Sequence, residues 1–448
     1  MNETTVAAPG TSGPLVPGAA LGATSAHDTR RRIVAIFGGS IGNLVEWYDW
    51  YVYATFSLYF AKAFFPAGDQ TAQLLNTAAV FAAGFLIRPI GSWALGRYAD
   101  RYGRKSSLQF SIMLMCFGSL IIAVTPTYET IGKAAAVLLV LARLLQGFSL
   151  GGEYGTSATY LAEIATPGRR GFYSSFQYVT LIAGQLIATA ILVVLQFVLL
   201  TPAQLDAWGW RIPFFIGALA AVTGLYLRSN LHETDQFVSS RANKSRNAGG
   251  IRFLMKHPRE VLIVAGMTMG GTVAFYTYSA YMQKFLVNTA HMTKQTSTLI
   301  SAATLLAFVL AQPVLGALSD RIGRRPILIA FGVLGTFGNI PLLMQLSKTH
   351  DPFIAALLIL IAVIVISGYT ALSAIVKAEL FPVEIRSIGV GLPSAIAISI
   401  FGGTAEYVAL WFKSVGNESG FFWYVSACIA CSLLVFIFMR ESSKTSRI

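Results

Sequence analysis

The residues that could do chemistry lie where a long apolar sequence should hold none. In Gly42-Asn43-Leu44-Val45-Glu46-Trp47-Tyr48-Asp49-Trp50-Tyr51, two carboxylic acids, Glu46 and Asp49, stand about one helical turn apart. At about 100° per residue, Asn43, Glu46, Asp49, Trp50, Tyr53 and Ser57 project within an arc of about 120°. An acid held out of water favours its neutral form, and two such neighbours share a proton, so this stripe could take up and release protons. The alternative is an ion pair that locks the first helix to its neighbours. Arg88, just before Pro89, and Arg143, in Arg143-Leu144-Leu145-Gln146-Gly147, are the cations at comparable depth. A guanidinium keeps its charge, and its planar fork matches a carboxylate. The arginines therefore read either as an anion site or as partners of the buried acids. An ionisable group at mid-bilayer costs ~2.5–3.5 kcal/mol on insertion scales, which makes each a functional candidate. Glu153, after Gly151-Gly152, and Glu406 are further proton-site candidates, and Gln177, Tyr178, Tyr53 and Lys377 further substrate contacts. Tyr276, Tyr278 and Tyr281 read more simply as interfacial belt residues.

These groups need elements to carry them. The chain is 55% hydrophobic and 12% charged, about half the charge of a soluble domain, so it is an integral membrane protein. Twelve stretches are long and apolar enough to span a bilayer: 33–60, 75–97, 106–125, 134–162, 172–200, 210–227, 260–285, 297–317, 326–346, 353–376, 387–412 and 420–439. They predict a disordered tail at 1–28, a six-helix bundle at 29–227, a polar linker at 228–259, a second bundle at 260–440 and a short tail at 441–448. Glu46 then lies ~20 Å along its span, Arg88 ~20 Å and Arg143 ~14 Å. Cys116, Cys428 and Cys431 all fall in apolar stretches without metal-ligand spacing. No G-x-x-x-x-G-K-[ST] loop is present, so nothing in the chain would hold a nucleotide in that way.

The halves echo one another. Gly96-Arg97-Tyr98-Ala99-Asp100-Arg101-Tyr102-Gly103-Arg104-Lys105 returns as Gly316-Ala317-Leu318-Ser319-Asp320-Arg321-Ile322-Gly323-Arg324-Arg325, both of the form G-x-x-x-D-R-x-G-R-[KR]. Glu163, Pro167 and Arg170 are answered by Glu379, Pro382 and Arg386. Such doubling marks a duplicated module with pseudo-symmetric halves. Asp100, Arg104, Glu163, Arg170, Asp320, Arg324, Glu379 and Arg386 all fall at one set of helix ends, where they read as a charge network holding a closed state. Most of the 33 Lys and Arg fall in segments that are cytosolic if the N-terminus is inside. The net charge of +13 is therefore a topology signal and not a nucleic-acid footprint, and both chain ends are expected in the cytosol.

The doubled loop, the R-x-x-Q-G of the fourth span and the 6+6 arrangement resemble the major facilitator superfamily. Gly42-Asn43-x-x-Glu46-Trp47-Tyr48-Asp49, Gly151-Gly152-Glu153 and Trp210-Arg211-Ile212-Pro213-Phe214 narrow the resemblance to the metabolite:proton symporter family. Longer stretches, among them Phe176-Gln177-Tyr178-Val179-Thr180-Leu181-Ile182, Tyr281-Met282-Gln283-Lys284 and Ala405-Glu406-Tyr407-Val408-Ala409-Leu410, are similar to its α-ketoglutarate-carrying branch. The resemblance implies an all-α membrane protein of two six-helix bundles that imports 2-oxoglutarate with protons across the bacterial inner membrane by alternating access. It implies no cofactor, the proton being the coupling ion, and a monomer in lipid. Arg88 and Arg143 hold positions shared with carriers of zwitterions, so a dicarboxylate needs another cation, for which Lys377, Arg211 and Lys284 are the candidates. A dianion entering a cell held ~100 mV negative works against ~4.6 kcal/mol, which co-entry of two protons cancels. Glu46 and Asp49 are the first choices for the proton, before Glu153 and Glu406. Carriage of citrate, shikimate or betaine, uncoupled exchange, and a sensor built on the same fold are the alternatives.

Overall fold

The computed structural model describes residues 26–102, 104–151, 153–166, 168–229, 254–382 and 385–445. Most of the expected tail and linker thus lies outside the described residues. The longer helices of the N-terminal half are α1 (Ala26–Phe64), α2 (Gln70–Leu86), α3 (Arg88–Tyr102), α4 (Arg104–Val124), α5 (Lys133–Leu150), α6 (Glu153–Ile164), α7 (Arg170–Val194) and α8 (Ile212–Ser229). Those of the C-terminal half are α9 (Pro258–Tyr276), α10 (Met282–Asn288), α11 (Lys294–Ile322), α12 (Arg324–Lys348), α13 (Pro352–Leu380), α14 (Arg386–Ala397), α15 (Ala405–Ser414) and α16 (Glu418–Phe438). Among the described residues all twelve expected passes are helical, with α2–α3, α5–α6, α9–α10 and α14–α15 each forming one interrupted pass. Nine helices among the described residues are long and apolar enough to cross a membrane. In hydrocarbon every backbone N–H and C=O must be satisfied within the segment, which leaves the helix as the only form these stretches can take.

The interruptions have local causes. Pro89 brings no N–H to the ladder, and the second pass breaks at Ile87 and resumes at Arg88. The fourth pass breaks at Gly151, the residue that caps α5. The seventh and eleventh passes each contain a π turn, Thr277–Tyr281 and Ile398–Gly402. A π turn inserts one residue into a helical turn and re-aims the side chains after it.

Within the N-terminal half, α2–α3 and α5 are pressed backbone to backbone. A Cβ on Gly147 would strike the Gly84 carbonyl, one on Gly91 the Phe148 carbonyl, and one on Gly151 the Arg88 carbonyl. Small residues are what permit this approach between membrane helices. The halves meet at both ends. At the end bearing the repeated loop, Gly171 on α7 packs on Gly316 of α11, and Gly155 on α6 packs on Gly391 of α14. At the opposite end Lys294 pairs with Asp206 at 2.8 Å, and between the two Ser399 donates to the Phe85 carbonyl at 2.6 Å.

Candidate functional site

Asp49 on the first helix is held by donors from two other helices. Ser119 on α4 donates to its Oδ1, and Gln146 on α5 donates to Oδ2 at 2.8 Å. The same Gln146 amide reaches Ser119 Oγ at 2.8 Å, while Arg143 Nη1 donates to Gln146 Oε1 at 2.7 Å. Gln146 thus stands between Arg143 and Asp49 as a neutral relay. Gly217 on α8 lies against the carboxylate, where any side chain would displace it. Asp49 directs its oxygens to α4 and α5, because helices neighbouring α1 supply donors on that side; Glu46 is buried one turn earlier. Arg143 is capped by rings, its guanidinium carbon lying 3.8 Å from the Trp50 centroid and 4.5 Å from Tyr53. The Tyr53 hydroxyl donates to the Thr77 carbonyl at 2.9 Å, so this residue meets Arg143 by its face.

Arg88 occupies a separate compartment. Its guanidinium lies 5.4 Å from the Trp47 ring and 5.2 Å from Phe85, and Phe85 meets Trp50 edge-on at 4.8 Å. An aromatic layer therefore stands between the two arginines. Arg88 is 2% exposed, and its Nε and Nη1 make no hydrogen bond to another described residue. The hydroxyls of Tyr276, Tyr51 and Tyr154 lie within its electrostatic reach. Tyr154 is also the partner of Lys377, whose Nζ donates to its hydroxyl at 3.4 Å. Lys377 is fully buried on α13, with Tyr369 beside it. Tyr154 thus lies within the reach of a cation from each half. Tyr178 meets Phe275 edge-on at 5.6 Å, and Gln177 accepts from Ser157 at 2.7 Å while its amide nitrogen stays unbonded among the described residues. Tyr276, Tyr278 and Tyr281, expected at the interface, are buried instead, because the seventh pass runs through the middle of the molecule.

The other candidate cations fall elsewhere. Arg211 donates to the carbonyls of Ala123 and Thr125 at 2.8 and 2.7 Å, tying off the end of α4. Lys284 is buried and paired with Glu406 at 2.6 Å. At the loop end, Asp320 accepts the N–H groups of Gly171 and Phe172 at 2.8 and 2.9 Å, capping α7 of the other half. Arg324 donates to Asp320 at 2.8 Å and lies 3.7 Å from Glu379, to which Arg170 adds charge. Arg386 crosses between halves to Glu163 at 2.7 Å. Glu441 joins this cluster by accepting the N–H groups of Arg324 and Arg325, both at 2.9 Å. Burial works against its charge, but those N–H bonds hold the Glu441 carboxyl below its usual range. The side chains of Asp100, Arg104 and Glu153 lie outside the described residues.

Residues 34–260 match the family model described as sugar (and other) transporter, and residues 261–448 the one described as major facilitator superfamily. The alpha-ketoglutarate permease of Escherichia coli (strain K12) is 53% identical over 95% of this chain and 97% of its own length. The chain belongs to the major facilitator superfamily. The citrate-proton symporter of Klebsiella pneumoniae is 35% identical over 92% of this chain and 93% of its own. The proline/betaine transporter of Escherichia coli (strain K12) is 31% identical over 91% and 83%. The xylose transporter XylE of E. coli shares the fold, with a TM-score of 0.74 at 18% identity over 91% of this chain and 97% of that one. This superfamily member is a multi-pass membrane transporter. Sequence reasoning overlooked Ser119, Gln146 and Tyr154 as parts of its polar centre. Gln146 lies in the R-x-x-Q-G motif and Tyr154 directly after Gly151-Gly152-Glu153, but nothing near Ser119 marks it.

Proposed function

We propose that the chain imports 2-oxoglutarate together with protons across the bacterial inner membrane, as a monomer with both termini in the cytosol. One arrangement carries the substrate: Arg88 and Lys377 are buried cations from opposite halves, Lys377 bonds the Tyr154 hydroxyl, and that hydroxyl lies within the electrostatic reach of Arg88. A dicarboxylate set between them would have one carboxylate held by each half, which a zwitterion with a single carboxylate cannot do. The match to alpha-ketoglutarate permease over nearly its whole length supports the same substrate. Arg88 brings unbonded donors and the planar fork suited to a carboxylate. The Asp49–Gln146–Arg143 relay is the proton site. With Asp49 charged, Gln146 carries the influence of Arg143 to it; with Asp49 neutral, Arg143 loses its compensation and the first helix can repack. The pairs at the loop end would hold the cytosolic side shut until substrate and proton are aboard.

The test is uptake of radiolabelled 2-oxoglutarate into proteoliposomes under an imposed pH gradient, with citrate, shikimate, proline and betaine as competitors. Accumulation should be abolished by a protonophore, and unlabelled 2-oxoglutarate should compete best. Stronger competition by citrate would reassign the substrate. Accumulation that survives the protonophore would make the protein an uncoupled exchanger.

A further inference from the structure

The Lys284–Glu406 pair belongs neither to the Asp49 relay nor to the Arg88 compartment. Nζ of Lys284 on α10 sits 2.6 Å from Oε2 of Glu406 on α15, with the side chains 1% and 3% exposed. Each residue comes after a π turn, Thr277–Tyr281 before Lys284 and Ile398–Gly402 before Glu406. The inserted residues re-aim both helices, and the two charges meet face to face. The pair does not lie sealed within its own half. Glu406 is in electrostatic reach of Tyr53 on α1, across the interface, and Gly403 just before it packs on Phe85 of α2. Besides Lys284, Tyr53 and, from its own half, Tyr281 are titratable groups within electrostatic reach of Glu406.

We infer that Lys284 is a further carboxylate-receiving cation, met on the side of the site away from the repeated loop before the carboxylate passes to Lys377, and that Glu406 covers it until Glu406 takes a proton. The inference rests on the proposed carriage of a carboxylate with protons. A carboxylate arriving at the intact pair would leave a net negative charge buried, which is strongly unfavourable. A proton added to the Glu406 carboxylate removes that obstacle. The Lys284 ammonium then passes its hydrogen bond from Glu406 to the substrate, and the charge of the enclosed unit is unchanged. One proton enters for each carboxylate received there. Asp49 provides the corresponding proton in the other half, which gives two protons for a dianion.

The experiment counts protons taken up when 2-oxoglutarate is added to purified full-length protein in weak buffer, and follows apparent Kd against pH. Glu406→Gln should still bind, with about one proton fewer per substrate and a pH dependence of Kd weaker by about tenfold per pH unit. Lys284→Gln/Glu406→Gln removes both charges at nearly constant volume and decides the matter if the single variant yields too little folded protein. It should take up the same reduced number of protons and bind at least about tenfold more weakly. A wild-type proton count in either folded variant overturns the inference and leaves the pair as a tie between helices. Loss of the thermal unfolding transition in both variants counts against it equally, since a pair made to open is not required for folding. If the wild-type protein binds no 2-oxoglutarate, the proposed substrate fails first, and the count is repeated with citrate. Binding of neither acid overturns the inference too.

Discussion

Arg88 and Arg143 carry the same charge in the same half, and their neighbours give them different work. Arg143 is boxed by Trp50 and Tyr53 and bonded to Gln146, so its charge acts on Asp49 through the relay. Arg88 has tyrosine hydroxyls within its electrostatic reach and keeps donors free for an anion. Arg88→Lys preserves charge but loses the fork, and should weaken apparent affinity for 2-oxoglutarate by about 10–100-fold, the worth of a hydrogen bond to a charged group. Normal affinity at normal expression would reduce Arg88 to a packing role. Asp49→Asn imitates the protonated acid at almost constant shape, and the Ser119 hydroxyl can turn to accept from the new amide. The variant should lose accumulation driven by a pH gradient and keep counterflow between loaded vesicles and external label. Gradient-driven accumulation at the wild-type level would move the proton site to Glu46, Glu153 or Glu406. Loss of counterflow as well would assign Asp49 to binding or folding.

At the scale of the elements, glycines decide how closely the passes approach, and through that where the charges sit. Gly147 touches the Gly84 carbonyl one turn from Arg143, and Gly151 touches the carbonyl of Arg88 itself. Gly147→Leu has no room and should destabilise by ~1–3 kcal/mol or more through overpacking, read as a lower Tm in detergent and lower expression. Gly338 on α12 has open space around the position of a Cβ, so Gly338→Ala should be neutral or stabilise by up to ~1 kcal/mol. Equal Tm values for the two variants would mean that α2–α3 and α5 are not packed as described.

For the whole molecule, the two halves are joined where the repeated loop meets its neighbours. Asp320 caps a helix of the opposite half, and Arg386 reaches Glu163 across the same boundary. Asp320→Asn weakens both the cap and the bond from Arg324. It should shift the balance toward opening at that end by about tenfold, on the basis of ~1.5–3 kcal/mol for charged hydrogen bonds. A single cysteine replacing buried Ser175, beside the Gly171–Gly316 contact, reports this as faster labelling from the side that bears the repeated loop. Unchanged labelling would show that the seal depends on packing alone. Orientation is checked in the same way. Cysteines near Lys62, Lys133 and Lys348 should react with an impermeant reagent outside, and one near Arg324 should not.

The sequence by itself determined the passes, the doubling and the short set of buried charges. Long apolar stretches have one stable backbone form in hydrocarbon, and charges within them stand out against it. It also marked Glu163, Asp320, Glu379 and Arg386 as one cluster, because they recur at matching places in the two halves. Partnership was decided only in three dimensions. Ser119 and Gln146 reach Asp49 from other helices, Tyr154 accepts from Lys377 of the opposite half, and Lys284 turns from a span end to a buried partner of Glu406. Those pairings depend on the break at Pro89, the two π turns and the glycine contacts between helices. A rotation of one residue per turn, or a backbone approach closer by the width of a methyl group, redirects a side chain without altering the apolar pattern that announces the helix.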